Sequence, residues 1–128
     1  MSLMHKILVV DDDKKIVAAL TLRLQNAGYE VVSAYDGTAA LEATSRERFS
    51  LIVMDINLPF TNGMRAVRQM KDAAGQSGTP VIFITASKLP SLRDQADSLG
   101  AAGFFEKPYE PAEILTRIQQ LLGDPVRS

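Results

Sequence analysis

The sequence contains no cysteine and only one histidine, His5. Disulfides, thiolate metal sites and cysteine nucleophiles are therefore excluded, and the absence fits a cytosolic setting. His5 stands just before an apolar run, where a structural or solvent-facing role is expected rather than catalysis. Charge of one sign is also missing: the formal net charge is -1, the pI is near 5.8, and no block of Lys and Arg stands out. A nucleic-acid backbone or an anionic membrane is thus not expected as a direct partner. No apolar run approaches membrane-spanning length, and the N-terminus has no signal-peptide apolar region. A soluble, unexported, cytoplasmic domain is the expectation. There is no internal repeat and no low-complexity segment.

What is present is enough for one core. The 128 residues are 46% hydrophobic and 23% charged, which suits a single domain and leaves no room for a second. Residues 4–123 are read as that domain and 124–128 as a C-terminal tail or the start of a linker. Met1-Ser2-Leu3 precede a second methionine and are left out of the fold reading.

The chain centres on Leu51 to Pro59, Leu-Ile-Val-Met-Asp-Ile-Asn-Leu-Pro. Four apolar residues there lead to Asp55 at the carboxyl end of a strand short and apolar enough to be covered on both faces. Before it, Lys6 to Val10 reads as a strand cut off by Asp11-Asp12-Asp13. A helix carrying Ile16, Val17, Leu20, Leu24 and Ala27 follows, capped by Asp12 or Asp13 and ended by Gly28. Glu30 to Ala34 is a shorter strand, and Asp36-Gly37 turns into a helix with Ala40, Leu41 and Thr44 on one face.

After Asp55, a loop from Pro59 to Gly63 leads into a helix over Met64 to Ala73, with Met64, Val67 and Met70 inward as core filler. Gly75 to Thr79 is a loop, Pro80 to Thr85 a strand, Ser91 to Leu99 a helix and Ala102 to Glu106 a strand. Pro111 opens the last helix, with Ile114, Leu115, Ile118, Leu121 and Leu122 at helical spacing. Five strands alternating with five helices specify an α/β doubly wound parallel sheet.

Four strand ends carry chemistry: Asp11 and Asp12 after the first, Asp55 on the third, Thr85 on the fourth and Lys107 after the fifth. In a sheet of order 2-1-3-4-5 the first and third strands are neighbours at the switch point, so the three carboxylates share one crevice. They would raise one another's pKa unless a cation intervened. An all-oxygen cluster without His or Cys suits Mg²⁺ or Mn²⁺ better than zinc. With Lys107 and Thr85 opposite, the set meets the needs of phosphoryl transfer, in which a carboxylate such as Asp55 can act as nucleophile. Singly, each residue has a plainer role: the Asp triplet and Asp55 as caps, Thr85 as a strand former, Lys107 as a solvated charge. Their placement at the carboxyl ends of four strands favours the joint reading.

These residues resemble the response-regulator receiver domain of two-component signalling. The likeness rests on Val9-Val10-Asp11-Asp12, Met54-Asp55-Ile56-Asn57-Leu58-Pro59 with Asn62-Gly63, Thr85-Ala86, Gly100-Ala101 and Lys107-Pro108, and covers about Lys6 to Leu122. It implies the strand order 2-1-3-4-5 used above. It also implies that Asp55 takes a phosphoryl group from a sensor histidine kinase or phosphotransfer protein, with no other turnover. Asp12, Asp55 and the backbone carbonyl of Asn57 would hold Mg²⁺, Asp11 a metal-bound water, and Lys107 the phosphoryl oxygens. Thr85 and Phe104 would switch, and the fourth helix, fifth strand and fifth helix would signal to an output domain or target, or pair with a second copy.

Two features depart from or tune that pattern. Phe104 stands where many relatives have Tyr, so its inward and outward states are expected to differ less in polar contacts. Asn57 and Ser87 occupy the positions that tune hydrolysis; both are small and polar, which implies open access for water. Two rival readings exist. A pseudo-receiver would lack one acid-pocket residue or the Lys, yet all are present. A haloacid-dehalogenase-like aspartyl phosphatase would need an acid where Asn57 stands, and usually a larger chain with a cap.

Overall fold

The computed structural model describes residues 4–72 and 76–123. Its strands are β1 (Lys6–Val10), β2 (Glu30–Ala34), β3 (Leu51–Asp55), β4 (Val81–Thr85) and β5 (Gly103–Glu106). The helices between and after them are α1 (Lys14–Asn26), α2 (Gly37–Arg46), α3 (Gly63–Asp72), α4 (Pro90–Ser98) and α5 (Pro111–Leu122). All four strand pairings are parallel, in the order β2-β1-β3-β4-β5. The expected architecture and strand order are both observed.

Alternation along the strands divides the core in two. Leu8, Val10, Ile52, Met54 and Phe83 face α2, α3 and α4, where they meet Ala40, Met64, Val67, Met70, Leu92 and Ala96. Ile7, Val9, Leu51, Val53, Ile82 and Ile84 face α1 and α5, against Val17, Leu20, Leu24, Ile114 and Ile118. Every residue of β3 and β4 is buried, as central strands covered on both faces require. Each Leu, Ile or Met so buried contributes roughly 1.5–3 kcal/mol. Met64 and Met70 are core filler as expected, and Leu92 joins them, whereas Leu89 is exposed.

Boundaries differ from the sequence reading by a residue or so, because caps and not periodicity set them. Asp13, not Asp12, caps α1: its Oδ1 accepts from the backbone N–H groups of Lys15 (3.0 Å) and Ile16 (3.2 Å). Asn62 Oδ1 accepts from Met64 N at 2.7 Å, so α3 begins at Gly63. Pro90 and not Ser91 opens α4, in the position where a missing N–H costs nothing. Pro80 lies just before β4, although its carbonyl still accepts from Ile52 N at 3.0 Å. Ala102 lies just before β5 in the same way and donates to Val81 O at 2.8 Å. Ala73, Gly75 and residues 124–128 lie outside the described residues.

At the amino-terminal edge of the sheet, buried Gln76 donates to the carbonyls of Thr44 (3.2 Å) and Glu47 (2.8 Å). Its Oε1 accepts from Thr79 Oγ1 at 3.0 Å. His5 Nδ1 is 2.8 Å from Ser50 Oγ, the structural one of the two roles expected of it. The opposite edge is thereby left to the chemistry.

Candidate functional site

Strand register brings the site together. Val10 pairs with Met54 and Asp55 with Ile84, so the residue after β1, Asp11, comes level with Asp55. Thr85 pairs with Glu106, and Lys107 N donates to Thr85 O at 2.8 Å, which carries Lys107 one step past the edge. Asp11 N in turn donates to Ala34 O at 3.1 Å. Asp11, Asp55 and Thr85 are buried, whereas Asp12 is exposed.

Oxygen atoms of Asp11, Asp12 and Asp55 lie within 4.8 Å of one another, the group anticipated from sequence. Between Asp11 and Asp55 sits the Lys107 ammonium, 3.0 Å from Asp55 Oδ2 and 2.8 Å from Asp11 Oδ2. The first contact is a directed hydrogen bond. The second is an ion pair of hydrogen-bond length, so one ammonium bridges the two buried carboxylates. The remaining Asp55 oxygen, Oδ1, accepts from Asn57 N at 2.9 Å, and Asp11 Oδ1 from Asp13 N at 2.9 Å.

Electrostatics follow from this geometry. Burial pushes the Asp11 carboxyl above its ordinary range, and the Asp55 charge adds to that, against the opposing pull of Lys107 and the Asp13 N–H. Burial acts to lower Lys107, but its bonds to Asp11 and Asp55 outweigh it and hold the ammonium above its usual value. Lys107 is the cation that lets two buried carboxylates coexist. Asp12 lies exposed beside that pair, and the three carboxylates offer oxygen atoms within 4.8 Å of one another. A hard divalent cation fits this donor set, in which all three side-chain ligands are carboxylates.

The backbone around Asp55 depends on Gly63. Gly63 N donates to Ile56 O at 2.9 Å, and a Cβ at Gly63 would collide with the Asp55 carbonyl. Only glycine lets the start of α3 close against the strand end. Phe60, in the loop between them, has φ +64° and a fully exposed side chain. The left-handed region is costly for a bulky residue, and such strain clusters at functional loops.

Thr85, expected at this strand end as a hydroxyl donor drawn inward by a phosphoryl group, has its hydroxyl turned to Asn57 Oδ1 at 2.6 Å. Ser87 N donates to that hydroxyl at 3.0 Å. Asn57 through its side chain and Ser87 through its backbone N–H are therefore both hydrogen-bonded to the Thr85 hydroxyl. Phe104 is half-buried, with the Arg93 guanidinium 5.4 Å from its ring centroid. This cation over the ring is a contact that the sequence reading did not anticipate.

Tyr109 was also missed. Its buried hydroxyl has no hydrogen-bond partner among the described residues. Burial, followed by the charges of Asp11, Asp55 and Asp13, pushes the phenol above its ordinary range. Placement just after Lys107-Pro108 was the signal that could have drawn attention to it.

The response regulator receiver domain model matches residues 7–119. The alkaline phosphatase synthesis transcriptional regulatory protein PhoP of Bacillus subtilis is 34% identical over 117 residues, 91% of this chain and 48% of PhoP. This chain spans about half the length of the curated relatives it matches. Among solved structures, Vibrio cholerae chemotaxis protein CheY4 superposes with a TM-score of 0.86 at 34% identity, covering 93% of this chain and 99% of that one. The receiver domain of the Pseudomonas aeruginosa sensor histidine kinase PA1611, which has a magnesium ion coordinated in its active-site cleft, gives 0.83 at 28% identity, covering 94% and 98%. No helix among the described residues is long and apolar enough to cross a membrane. With its sheet order, its acidic crevice and this family match in agreement, the chain belongs to the response-regulator receiver domains, the signalling modules of two-component systems.

Proposed function

We propose that the domain receives a phosphoryl group on Asp55 from a phosphohistidine of a sensor histidine kinase or a phosphotransfer protein. The observation that carries this reading is the setting of the Asp55 carboxylate, buried between the Asn57 N–H and the Lys107 ammonium, with Asp11 and Asp12 oxygens within 4.8 Å. A carboxylate oxygen of Asp55 attacks phosphorus, an O–P bond forms, the N–P bond breaks, and the electron pair stays on the histidine nitrogen. Lys107 exchanges part of its contact with the carboxylates for the incoming phosphoryl oxygens.

Asp12, Asp55 and the Asn57 carbonyl would hold Mg²⁺ or Mn²⁺ directly, with Asp11 orienting a bound water. When present, the ion supplies positive charge to phosphoryl oxygens. Thr85 then leaves Asn57 to donate to the phosphoryl group, and Phe104 moves into the space released. This biases the α4–β5–α5 face, which reports to an output domain, a separate target or a second copy of the chain. Asn57 and Ser87 tune return of the phosphoryl group to water, the only turnover assigned to this module. Residues 4–123 form the functional unit, working in the cytoplasm without direct nucleic-acid contact. The aspartyl-phosphatase reading finds no support: Asn57 offers no acid, and its side chain is engaged by Thr85.

Intact-mass spectrometry after incubation with Mg²⁺ and acetyl phosphate tests this. Wild type should gain one phosphoryl group, whereas Asp55→Asn or chelation of the metal should abolish the gain. No gain in a folded wild type would transfer the reading to a pseudo-receiver.

A further inference from the structure

We propose that the Asn57 side chain is a latch on the Thr85 hydroxyl and so sets how readily the site accepts a phosphoryl group. The inference rests on the phosphoacceptor reading above. It gives Asn57 a positioning role distinct from its backbone contacts and from any control of hydrolysis.

The hydrogen-bond pattern leaves little freedom. Asn57 Oδ1 lies 3.1 Å from Ala86 N and 2.6 Å from Thr85 Oγ1. A backbone N–H can only donate, so the amide atom facing it must be the oxygen, and the Thr85 hydroxyl at the same oxygen must donate too. That hydroxyl also accepts from Ser87 N at 3.0 Å. Its single proton is therefore spent on Asn57. A phosphoryl group on Asp55 needs the same proton.

Location makes the latch reversible. Thr85 is buried, so its hydroxyl has no bulk water to turn to, whereas Asn57 is exposed and its amide can exchange Thr85 for solvent. Asn57 N also donates to Asp55 Oδ1 at 2.9 Å. One residue thus touches the acceptor carboxylate through its backbone and the switch hydroxyl through its side chain. Truncating the side chain frees the hydroxyl while leaving backbone N–H and carbonyl in place.

The test is affinity for beryllofluoride, an unhydrolysable phosphoryl mimic, at saturating Mg²⁺. Loss of one neutral hydrogen bond from the unliganded state should tighten binding about fivefold in Asn57→Ala. In a Thr85→Val background, which removes the hydroxyl, Asn57→Ala should change nothing. In Thr85→Ser the tightening should return. Mg²⁺ affinity measured alone separates any effect on the metal site, and the amide NMR spectrum checks the fold. Unchanged or weaker binding in Asn57→Ala, or tightening that persists without the hydroxyl, would overturn the latch while leaving the phosphoacceptor reading intact. A folded wild type that binds no beryllofluoride would instead sink that reading, and the latch with it.

Discussion

Gly63 and Asp55 are in backbone contact: the bare Cα of Gly63 packs where any side chain would strike the Asp55 carbonyl. The glycine that opens α3 therefore fixes where the strand bearing the carboxylate ends. Gly63→Ala should cost about 3 kcal/mol, the upper end for overpacking, because the obstacle is backbone and cannot rotate away. Urea titration would read the loss. An unchanged midpoint would mean that α3 can shift freely.

Lys107 separates two buried carboxylates, at 2.8 Å from Asp11 and 3.0 Å from Asp55. Lys107→Met should destabilise the metal-free domain by about 3–5 kcal/mol, since it leaves two buried charges without a counter-ion. Added Mg²⁺ should recover more stability in the variant than in wild type. Equal recovery in both would count against a shared electrostatic role.

Asp11 gives a pH dependence of definite sign. Its folded-state pKa is raised, chiefly by burial, so over the window from about 3.9 upward the folded chain holds a proton that the unfolded chain has released. Stability of the metal-free protein should fall as pH rises through that window, and the penalty is complete above it. Asp11→Asn should remove this slope, raise stability at neutral pH and weaken Mg²⁺ binding at least tenfold. Denaturant titrations across pH, with and without the metal, would check all three.

Phe60 is the one non-glycine residue with positive φ among the described residues, and its ring is fully exposed. Phe60→Asn places a residue that tolerates this region and should raise stability by about 1 kcal/mol, seen as a melting temperature about 4 °C higher. If phosphoryl uptake from a kinase falls while uptake from acetyl phosphate does not, the strained loop serves the partner and not the chemistry.

The sequence by itself determined the alternation of strands and helices and the residues at the strand ends, because periodicity and run length are local properties. It also determined the oxygen-only character of the acidic cluster, since composition leaves no thiol and a single imidazole, His5. Apolar runs such as Val81-Ile82-Phe83-Ile84 and the Asp11-Asp12-Asp13 break required no neighbours to be legible.

Tertiary structure decided which partners those side chains found. The Asn57 to Thr85 bond spans 28 positions and the Lys107 to Asp55 bond 52, and strand register, not local pattern, sets both. Arg93 over Phe104 depends on how α4 lies against β5, and burial of the Tyr109 hydroxyl, without a partner among the described residues, on how the chain packs after Lys107. Hydrogen bonds and ion pairs act over a few ångströms, so their occupants are known only once the sheet has brought distant strand ends level.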